Sequence, residues 1–345
     1  NLQVNLSIAE TDGIDMIVSA LAGFADNLQI QTDACRALSH LSIDHESRMM
    51  ICSQGGMILL VNALNAYPDE VDLLEAACSS LLNLTSDAEE EVIVGSNATE
   101  AVIGTMRSQV ESSRVQEKCL GVLQNISMRS KQSKATVSNA GGLDAVLFTI
   151  KEFMGTPSVV ARAFTALWSL GVLEANQSWI ADNEGVVLII NGMLANMTDE
   201  KVQRQACGCL CTLGTASRTK IRIRNLGGVE AVVYAMWAHY SSEDLLTEAC
   251  RALSSLAVNV ETNEVMLATE GEITAILGAM RRFPNSEKLQ EHACVAFRNF
   301  MLSADNLPLV EFQKSEVEEL MNVAATRFPN RCGDRARQVL QCIGV

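Results

Sequence analysis

The sequence predicts an all-α fold in which about eight similar helical units stack into an α-solenoid. A short helical signature recurs at steps of 43, 42, 44, 43, 43, 44 and 43 residues, a period typical of solenoids. The residues two before and one after an anchor position are hydrophobic in every copy, and glycine recurs between most anchors. The eight anchors are His40, Asn83, Asn125, Ser169, Thr212, Ser255, Asn299 and Cys342.

The repeat leaves no room for a second fold, because 345 residues divided among eight copies gives about 43 residues each. We therefore expect a single solenoid over residues 1–345. Its repeats lie at approximately 1–43, 44–86, 87–129, 130–172, 173–215, 216–258, 259–302 and 303–345.

Each repeat is predicted to contain three helices, the first of them short. In the sixth repeat a short segment spans residues 219–226, an apolar periodic stretch spans 229–236, and a third helix spans 245–258. Ser241 or Ser242 is suited to cap that third helix. The hydrophobic positions around the anchor fall on one side of the third helix, so they must be buried against neighbouring repeats.

Glycine predicts a tight corner between the first and second helices, since it accepts positive φ at no steric cost. Pairs occur at Gly55-Gly56, Gly141-Gly142 and Gly227-Gly228, and single glycines serve in other repeats, including Gly271 in the seventh. The third repeat lacks the glycine at Ala98-Thr99, so we expect a differently built corner there. Proline before the third helix in four repeats predicts where the second helix ends.

Composition excludes several classes of protein. A net charge of -15 disfavours nucleic acid as a partner, because binding a phosphate backbone needs clustered Lys and Arg. No apolar run is long enough to predict membrane insertion. The first residue is Asn1, so we expect a fragment of a longer protein or a processed chain.

Cysteine placement predicts a reducing compartment. Five of the eleven cysteines stand five residues before their anchors, on the inward side of the third helix: Cys35, Cys78, Cys207, Cys250 and Cys294. Free cysteine behaves as a small buried hydrophobe, and free thiols persist where the cell is reducing. We therefore expect an intracellular location, cytoplasmic or nuclear.

No pattern of catalytic, cofactor-binding or metal-binding residues stands out, so the sequence predicts a non-enzymatic protein without cofactor or metal. Of Cys207, Cys209 and Cys211, only Cys207 and Cys211 lie close together in angle on a helix. Cys207 is a recurrent core position, and no further His or Cys stands nearby at a zinc-site spacing. The four histidines form no ligand motif, and the glycine pairs are helix corners rather than a phosphate-binding loop.

The period, the glycine corner and the ending of the third helix resemble the armadillo repeat family over the whole chain. Asn176-Gln177-Ser178-Trp179-Ile180 running into Glu184-Gly185-Val186 is a good example. The resemblance implies a right-handed solenoid of three-helix repeats. It also implies that the third helices line a concave groove that holds extended peptides.

Residues at the anchor, four before it and seven before it share one face of the third helix. On the resemblance, we expect this face to bind a partner over roughly repeats two to six. The candidate groove residues are Arg36, His40, Ser79, Asn83, Lys118, Asn125, Arg162, Ser169, Arg251, Ser255 and Asn299.

The same ladder argues against one family role. Armadillo importins place Trp four residues before the anchor to hold Lys stems, and none of the eight positions here holds Trp, while Arg36 and Arg251 occupy two of them. Without aromatic rings the cation-binding slots are missing.

The sequence thus predicts a protein–protein interaction scaffold or adaptor that binds an extended protein or peptide segment. Two alternatives stay open. One is a regulator or chaperone of a folded client such as a small GTPase or myosin, which would use a broad or convex surface. The other is a transport adaptor for basic cargo, which the acidic composition supports and the missing Trp ladder opposes. The sequence gives no oligomeric state.

Overall fold

The computed structural model describes residues 12–259, 264–265, 269–302, 306–311 and 313–345. The chain divides into two compact units, Asn1–Leu173 and Glu174–Val345. The boundary falls between the predicted fourth and fifth repeats, so each unit contains four of them.

Helices of three kinds alternate along both units. The second helices are Gly13–Gly23, Gly56–Ala66, Ala98–Ser108, Gly142–Glu152, Gly185–Ala195, Gly228–Ala238, Glu270–Arg282 and Lys314–Arg327. The third helices are Leu28–Leu41, Val71–Asp87, Ser113–Arg129, Pro157–Leu170, Glu200–Leu213, Glu243–Leu256, Glu287–Phe300 and Gly333–Cys342. The first helices are His45–Ser53, Glu90–Gly95, Lys131–Asn139, Glu174–Asp182, Ser217–Asn225 and Leu307–Glu311.

The seventh repeat begins differently from the prediction. The described residues there form two short antiparallel strands, Val258–Asn259 and Glu264–Val265, where a first helix was expected. The third helix of the sixth repeat accordingly ends at Leu256 rather than at residue 258. Ser242 caps that helix by accepting a hydrogen bond from Leu245 N at 3.3 Å. The expected first helix of the first repeat lies largely outside the described residues.

The corners between first and second helices need a left-handed residue, which confirms the role of the glycine pairs. Gly55, Gly141 and Gly227 have φ of 76°, 87° and 82°. Asn97 and Glu184 take the same left-handed conformation in the third and fifth repeats, so the third repeat keeps this corner without glycine.

The seventh repeat does not use Gly271 as a corner. Its second helix starts with a capping box, in which Thr269 Oγ1 accepts from Glu272 N and Glu272 Oε2 accepts from Thr269 N at 2.7 Å. Gly271 lies inside the first turn of that helix.

The core of each unit lies where the hydrophobic register predicts. All sixteen side chains two before and one after the eight anchors are buried, from Leu38 and Leu41 to Leu340 and Ile343. Phe297 and Phe300 pack edge to face with ring centroids 6.2 Å apart, a favourable aromatic geometry. The third helices therefore carry most of the packing between repeats.

Among the described residues, no one helix combines the length and the apolar composition needed to cross a membrane. His45–Ser53 and Gly56–Ala66 reach those values only when taken together, and they are bent by 75°.

Candidate functional site: the third-helix faces

Third helices pack side by side in chain order within each unit. Those of repeats one to four form one ladder, and those of repeats five to eight form a second ladder. The burial of the apolar positions fixes the rotation of each helix. The anchor residue and those four and seven before it therefore line one face of each ladder.

The anchor residues join neighbouring third helices. Asn125 Nδ2 donates to Leu82 O at 2.9 Å and to Thr85 Oγ1 at 3.3 Å. Asn83 Nδ2 donates in the same way to Ser39 O at 3.3 Å and to Ser42 Oγ at 3.1 Å. Ser39 O lies in the last turn of its helix, where carbonyl groups lack partners within their own helix, so the Asn83 amide satisfies it from the next repeat.

The second unit repeats this arrangement. Ser255 Oγ donates to Cys211 O at 3.1 Å, and Asn299 Nδ2 donates to Ser254 O at 2.9 Å. In all four of these contacts the acceptor carbonyl belongs to the residue just before the previous anchor. Part of the polar register thus serves to hold the repeats together.

Asn83 and Asn125 keep one hydrogen-bonding group for a ligand. Both side chains are half-buried, and within the described part of the chain Oδ1 of each accepts no hydrogen bond. Asn299 differs, since it is 8% exposed and its Oδ1 accepts from Arg298 Nη2 at 2.8 Å. The same residue type at the same register is therefore accessible in the first unit and covered in the second.

Ser169 and His40 are also tied to the backbone or to a neighbouring repeat. Ser169 Oγ accepts from Ser127 Oγ at 2.8 Å across repeats three and four. His40 Nδ1 lies 2.8 Å from Arg36 O, one turn earlier on the same helix.

The arginines of the predicted groove already have partners. Arg36 contacts Asp72 of the next third helix at 3.1 Å and Asp33 of its own helix at 3.8 Å. Arg162 Nη1 donates to Gln124 Oε1 at 3.4 Å. A partner carboxylate at Arg36 would have to compete with these acids, and exposed ion pairs contribute little in either arrangement.

Arg251 in the second unit is held more closely. Its Nε donates to Glu248 Oε2 at 2.8 Å, and both side chains are half-buried. His292 on the neighbouring third helix has a lowered pKa, chiefly because burial disfavours its charged form and secondarily because Arg251 is close. This face of the second unit is therefore an internal charge network.

Lys118 and Ser79 are the least committed candidate residues. Both are half-buried on neighbouring third helices of the first unit. No hydrogen bond or ion pair joins either side chain to another described residue. The structure brings them together with Asn83 and Asn125 on the same ladder, and it leaves Arg251, Ser255 and Asn299 on the other unit.

Four glutamines with a structural role were not recognised in the sequence. Each stands nine residues before its anchor and donates to two carbonyls at the end of the preceding second helix: Gln31, Gln116, Gln203 and Gln290. They occur in repeats one, three, five and seven, and Leu74, Val160 and Leu246 fill the position in repeats two, four and six. The recurrence of Gln at this position in every second repeat is the sequence pattern that could have identified these residues as structural.

The cysteines of the register are core residues, as predicted. Cys35, Cys78, Cys207, Cys250 and Cys294 are fully buried. Burial raises the pKa of Cys35 and of Cys250 to about 12, which keeps them as thiols. Across the described residues, no group of three or more His, Cys, Asp or Glu side chains is arranged to hold a metal ion.

Comparison with solved structures finds the same fold. An engineered protein superposes with a TM-score of 0.72 at 19% identity, over 99% of this chain and 91% of that one. A structure reported for the phosphorylation switch that controls the interaction between cadherin and beta-catenin gives a TM-score of 0.76 at 17% identity, over 96% of this chain and 60% of that one. A designed armadillo repeat protein in complex with the peptide (KR)4 gives 0.60 at 16% identity, over 70% and 98%.

Sequence comparison places the chain in a family. No curated protein sequence matches it. The family model described as the GAC ARM domain matches residues 14–275, which is more than half of the chain. The armadillo solenoid fold expected from the resemblance is thereby confirmed, and the chain belongs to the GAC ARM domain family.

Proposed function

We propose that the chain is a non-enzymatic scaffold or adaptor that binds an extended peptide segment along the third helices of repeats two to four. The supporting observation is the ladder of the first unit, where Asn83 and Asn125 stand at equivalent positions of adjacent helices with Oδ1 still able to accept. An extended peptide offers main-chain N–H groups at regular intervals that such acceptors match.

The spacing of the ladder suits an extended ligand. Packed helices lie roughly 8–10 Å apart, and an extended chain advances about 3.3 Å per residue. A bound segment would therefore present one main-chain N–H to each successive anchor about every three residues.

Lys118 sets the side-chain preference that we propose for this segment. It is the cation on this face without a partner in the described part of the chain, and it lies on the same helix as Asn125. An Asp or Glu of the ligand would gain a charge-assisted hydrogen bond there. Basic cargo suits this face poorly, because Arg36, Lys118 and Arg162 all lie on it.

The buried thiols support the further proposal that the chain works in a reducing compartment, the cytoplasm or the nucleus. Nine of the eleven cysteines are buried and none forms a disulfide, as expected where thiols stay reduced.

The test uses peptides selected from a random display library on the full chain. Ser79→Arg fills the face between Asn83 and its neighbours, and Lys118→Glu reverses the unpaired charge. Ser53→Arg and Lys131→Glu make the same changes at exposed positions on first helices of the same unit and serve as matched controls.

We expect selected peptides to lose about tenfold or more in affinity for the two third-helix variants and to keep their affinity for the controls. Hydrogen exchange should show peptide-dependent protection in residues 71–87 and 113–129. Peptides that bind all four variants equally would refute the assignment of binding to this face.

A further inference from the structure

The second unit exposes a group of aromatic side chains outside the third-helix face. The whole chain has three Trp and three Tyr, and half of these six lie within residues 234–240. Tyr234, Trp237 and Tyr240 are 57%, 53% and 64% exposed. Large aromatic side chains at a surface are typical of protein interfaces, where they carry much of the binding energy.

Trp237 and Tyr240 border a cavity of about 540 Å³ between the second helices of repeats six and seven, within the usual range for ligand pockets. Trp237 and Tyr240 form one wall of the cavity, and Ala275, Gly278 and Ala279 form the opposite wall from the next second helix. A Cβ added at Gly278 would meet no atom within 4 Å, so the small residues leave real space beside the rings. We call this cavity, with Arg282 at its rim, the aromatic slot.

The surface continues over the second helix of repeat five. Leu194 and Met197 are 52% and 44% exposed, and a smaller depression between them and Tyr234 joins the two second helices. A row of apolar side chains therefore runs across three successive repeats of one unit. Exposed hydrophobic residues that are scattered singly are normal, whereas a contiguous row is typical of an interaction site.

The rim of the aromatic slot is cationic although the chain carries a net charge of -15. The Arg282 guanidinium lies 5.8 Å from the centre of the Tyr240 ring and forms no ion pair with a described residue. Arg281 also lines the cavity, is 69% exposed and contacts Glu316 at 2.7 Å. A guanidinium held over an aromatic ring is positioned to receive a carboxylate.

We propose that the aromatic slot binds an acidic segment of a partner protein, in which a large apolar side chain stands next to Asp or Glu. The apolar side chain packs between Trp237 and Gly278, and the neighbouring carboxylate pairs with Arg282. Charge complementarity selects this occupant, because Arg282, which forms no ion pair with a described residue, attracts acidic ligands to this part of an acidic chain. Two arginines on a chain of this charge are too few to hold a nucleic-acid backbone.

A substitution at Gly278 tests the slot with little risk to the fold. Gly278→Leu fills the cavity, and leucine is a better helix former than glycine. Gly104→Leu is the matched control, because Gly104 lies on a second helix of the other unit and a Cβ there also meets nothing within 4 Å. Arg282→Glu reverses the charge at the rim. Its control is Arg218→Glu, which makes the same charge reversal outside the slot, on a first helix, at a side chain that is 86% exposed.

The probe is a random dodecapeptide display library panned on the full chain, carried out on the Ser79→Arg background so that third-helix binding does not contribute. We expect enriched peptides with an apolar residue beside Asp or Glu. Their affinity should fall roughly tenfold or more with Gly278→Leu or Arg282→Glu, and by less than about twofold with Gly104→Leu or Arg218→Glu.

Several results would overturn the proposal. They are an unenriched pool, a basic or neutral consensus, equal binding to Gly278→Leu, and displacement of the peptides by a single-stranded oligonucleotide. A further contradictory result would come from sedimentation. A wild-type dimer that Gly278→Leu converts to a monomer would assign the aromatic slot to a second copy of the chain.

Discussion

Replacing Gln116 by leucine is expected to destabilise the first unit by about 1.5–4 kcal/mol. Gln116 is 1% exposed, and its Nε2 donates to Met106 O at 2.7 Å and to Gln109 O at 2.9 Å. The second helix ends at Ser108, so Met106 O has no N–H of its own helix to accept from. Leucine has a similar size but no donor, and it would leave this carbonyl buried and unpaired.

The magnitude follows from what each group keeps after the substitution. Gln109 O still accepts from Ser112 N at 3.3 Å, so it loses only one of two hydrogen bonds. Thr149 Oγ1 loses Gln116 Oε1 but still has Ala145 O at 2.9 Å. The orphaned Met106 carbonyl therefore dominates, at about 1–3 kcal/mol, with about 0.5–1 kcal/mol more for the weakened bonds.

The assay is guanidinium unfolding of the full chain, followed by circular dichroism and by hydrogen exchange in residues 98–129. Exchange is included because repeat arrays can unfold in parts, which would blur a global free energy. Gln29→Leu is the control, since Gln29 is exposed and its side chain bonds no described residue other than Asp33. It should change stability by less than about 0.5 kcal/mol. Equal effects of the two substitutions would refute the assigned role of the buried amide.

Three further predictions concern stability. His45 and Arg48 hold the pKa of Asp87 down at about 2, so its contribution to stability is present above about pH 4 and is lost as pH falls through 2. Its side chain is 27% exposed, so we expect Asp87→Asn to cost about 1–2 kcal/mol at pH 6 and less than about 0.5 kcal/mol at pH 2, measured by urea unfolding across pH. Glu184→Gly should stabilise by about 0.5–1 kcal/mol by relieving the left-handed conformation, and Gly227→Ala should destabilise by about 1 kcal/mol in thermal melts. Asn125→Asp should destabilise more than Asn125→Ala, because a carboxylate would face carbonyl and hydroxyl oxygens; a larger loss with Ala in chemical denaturation would contradict the donor role assigned to the Asn125 amide.

The period, the core and most corners could be predicted because each depends on residues close in sequence. Leu38 and Leu41 share a helical face whatever lies beside them. A left-handed corner needs a residue such as Gly141 that tolerates positive φ. Glu184 shows the limit of that rule, since the single glycine at Glu184-Gly185 predicts the corner but Glu184 itself adopts the left-handed φ of 63°.

The behaviour of the candidate site could not be predicted, because it depends on side-chain contacts that the repeat register does not specify. Asn83, Asn125 and Asn299 are identical in type and register, yet only Asn299 is covered, by Arg298. The register gives the face on which a side chain lies but not the partner it meets. The strands at Val258–Asn259 and Glu264–Val265 were missed for the same reason, since pairing joins residues beyond one helical turn.

Third-helix and second-helix surfaces differ in how binding is coupled to stability. Asn125 donates to Leu82 O between repeats, so changing it alters the packing of the array together with any peptide contact. Trp237 is 53% exposed, and Gly278 has open space around its Cα; neither position serves as an anchor between third helices.

Substitutions at the aromatic slot can therefore change binding while the free energy of unfolding stays within about 0.5 kcal/mol. Substitutions at the third-helix anchors should lower both quantities together, because one amide serves both purposes. Measuring both for Gly278→Leu and Asn125→Ala distinguishes a surface that varies independently of the fold from one that the fold itself requires. A loss of stability with Gly278→Leu as large as that with Asn125→Ala would show that the second-helix surface is structural instead.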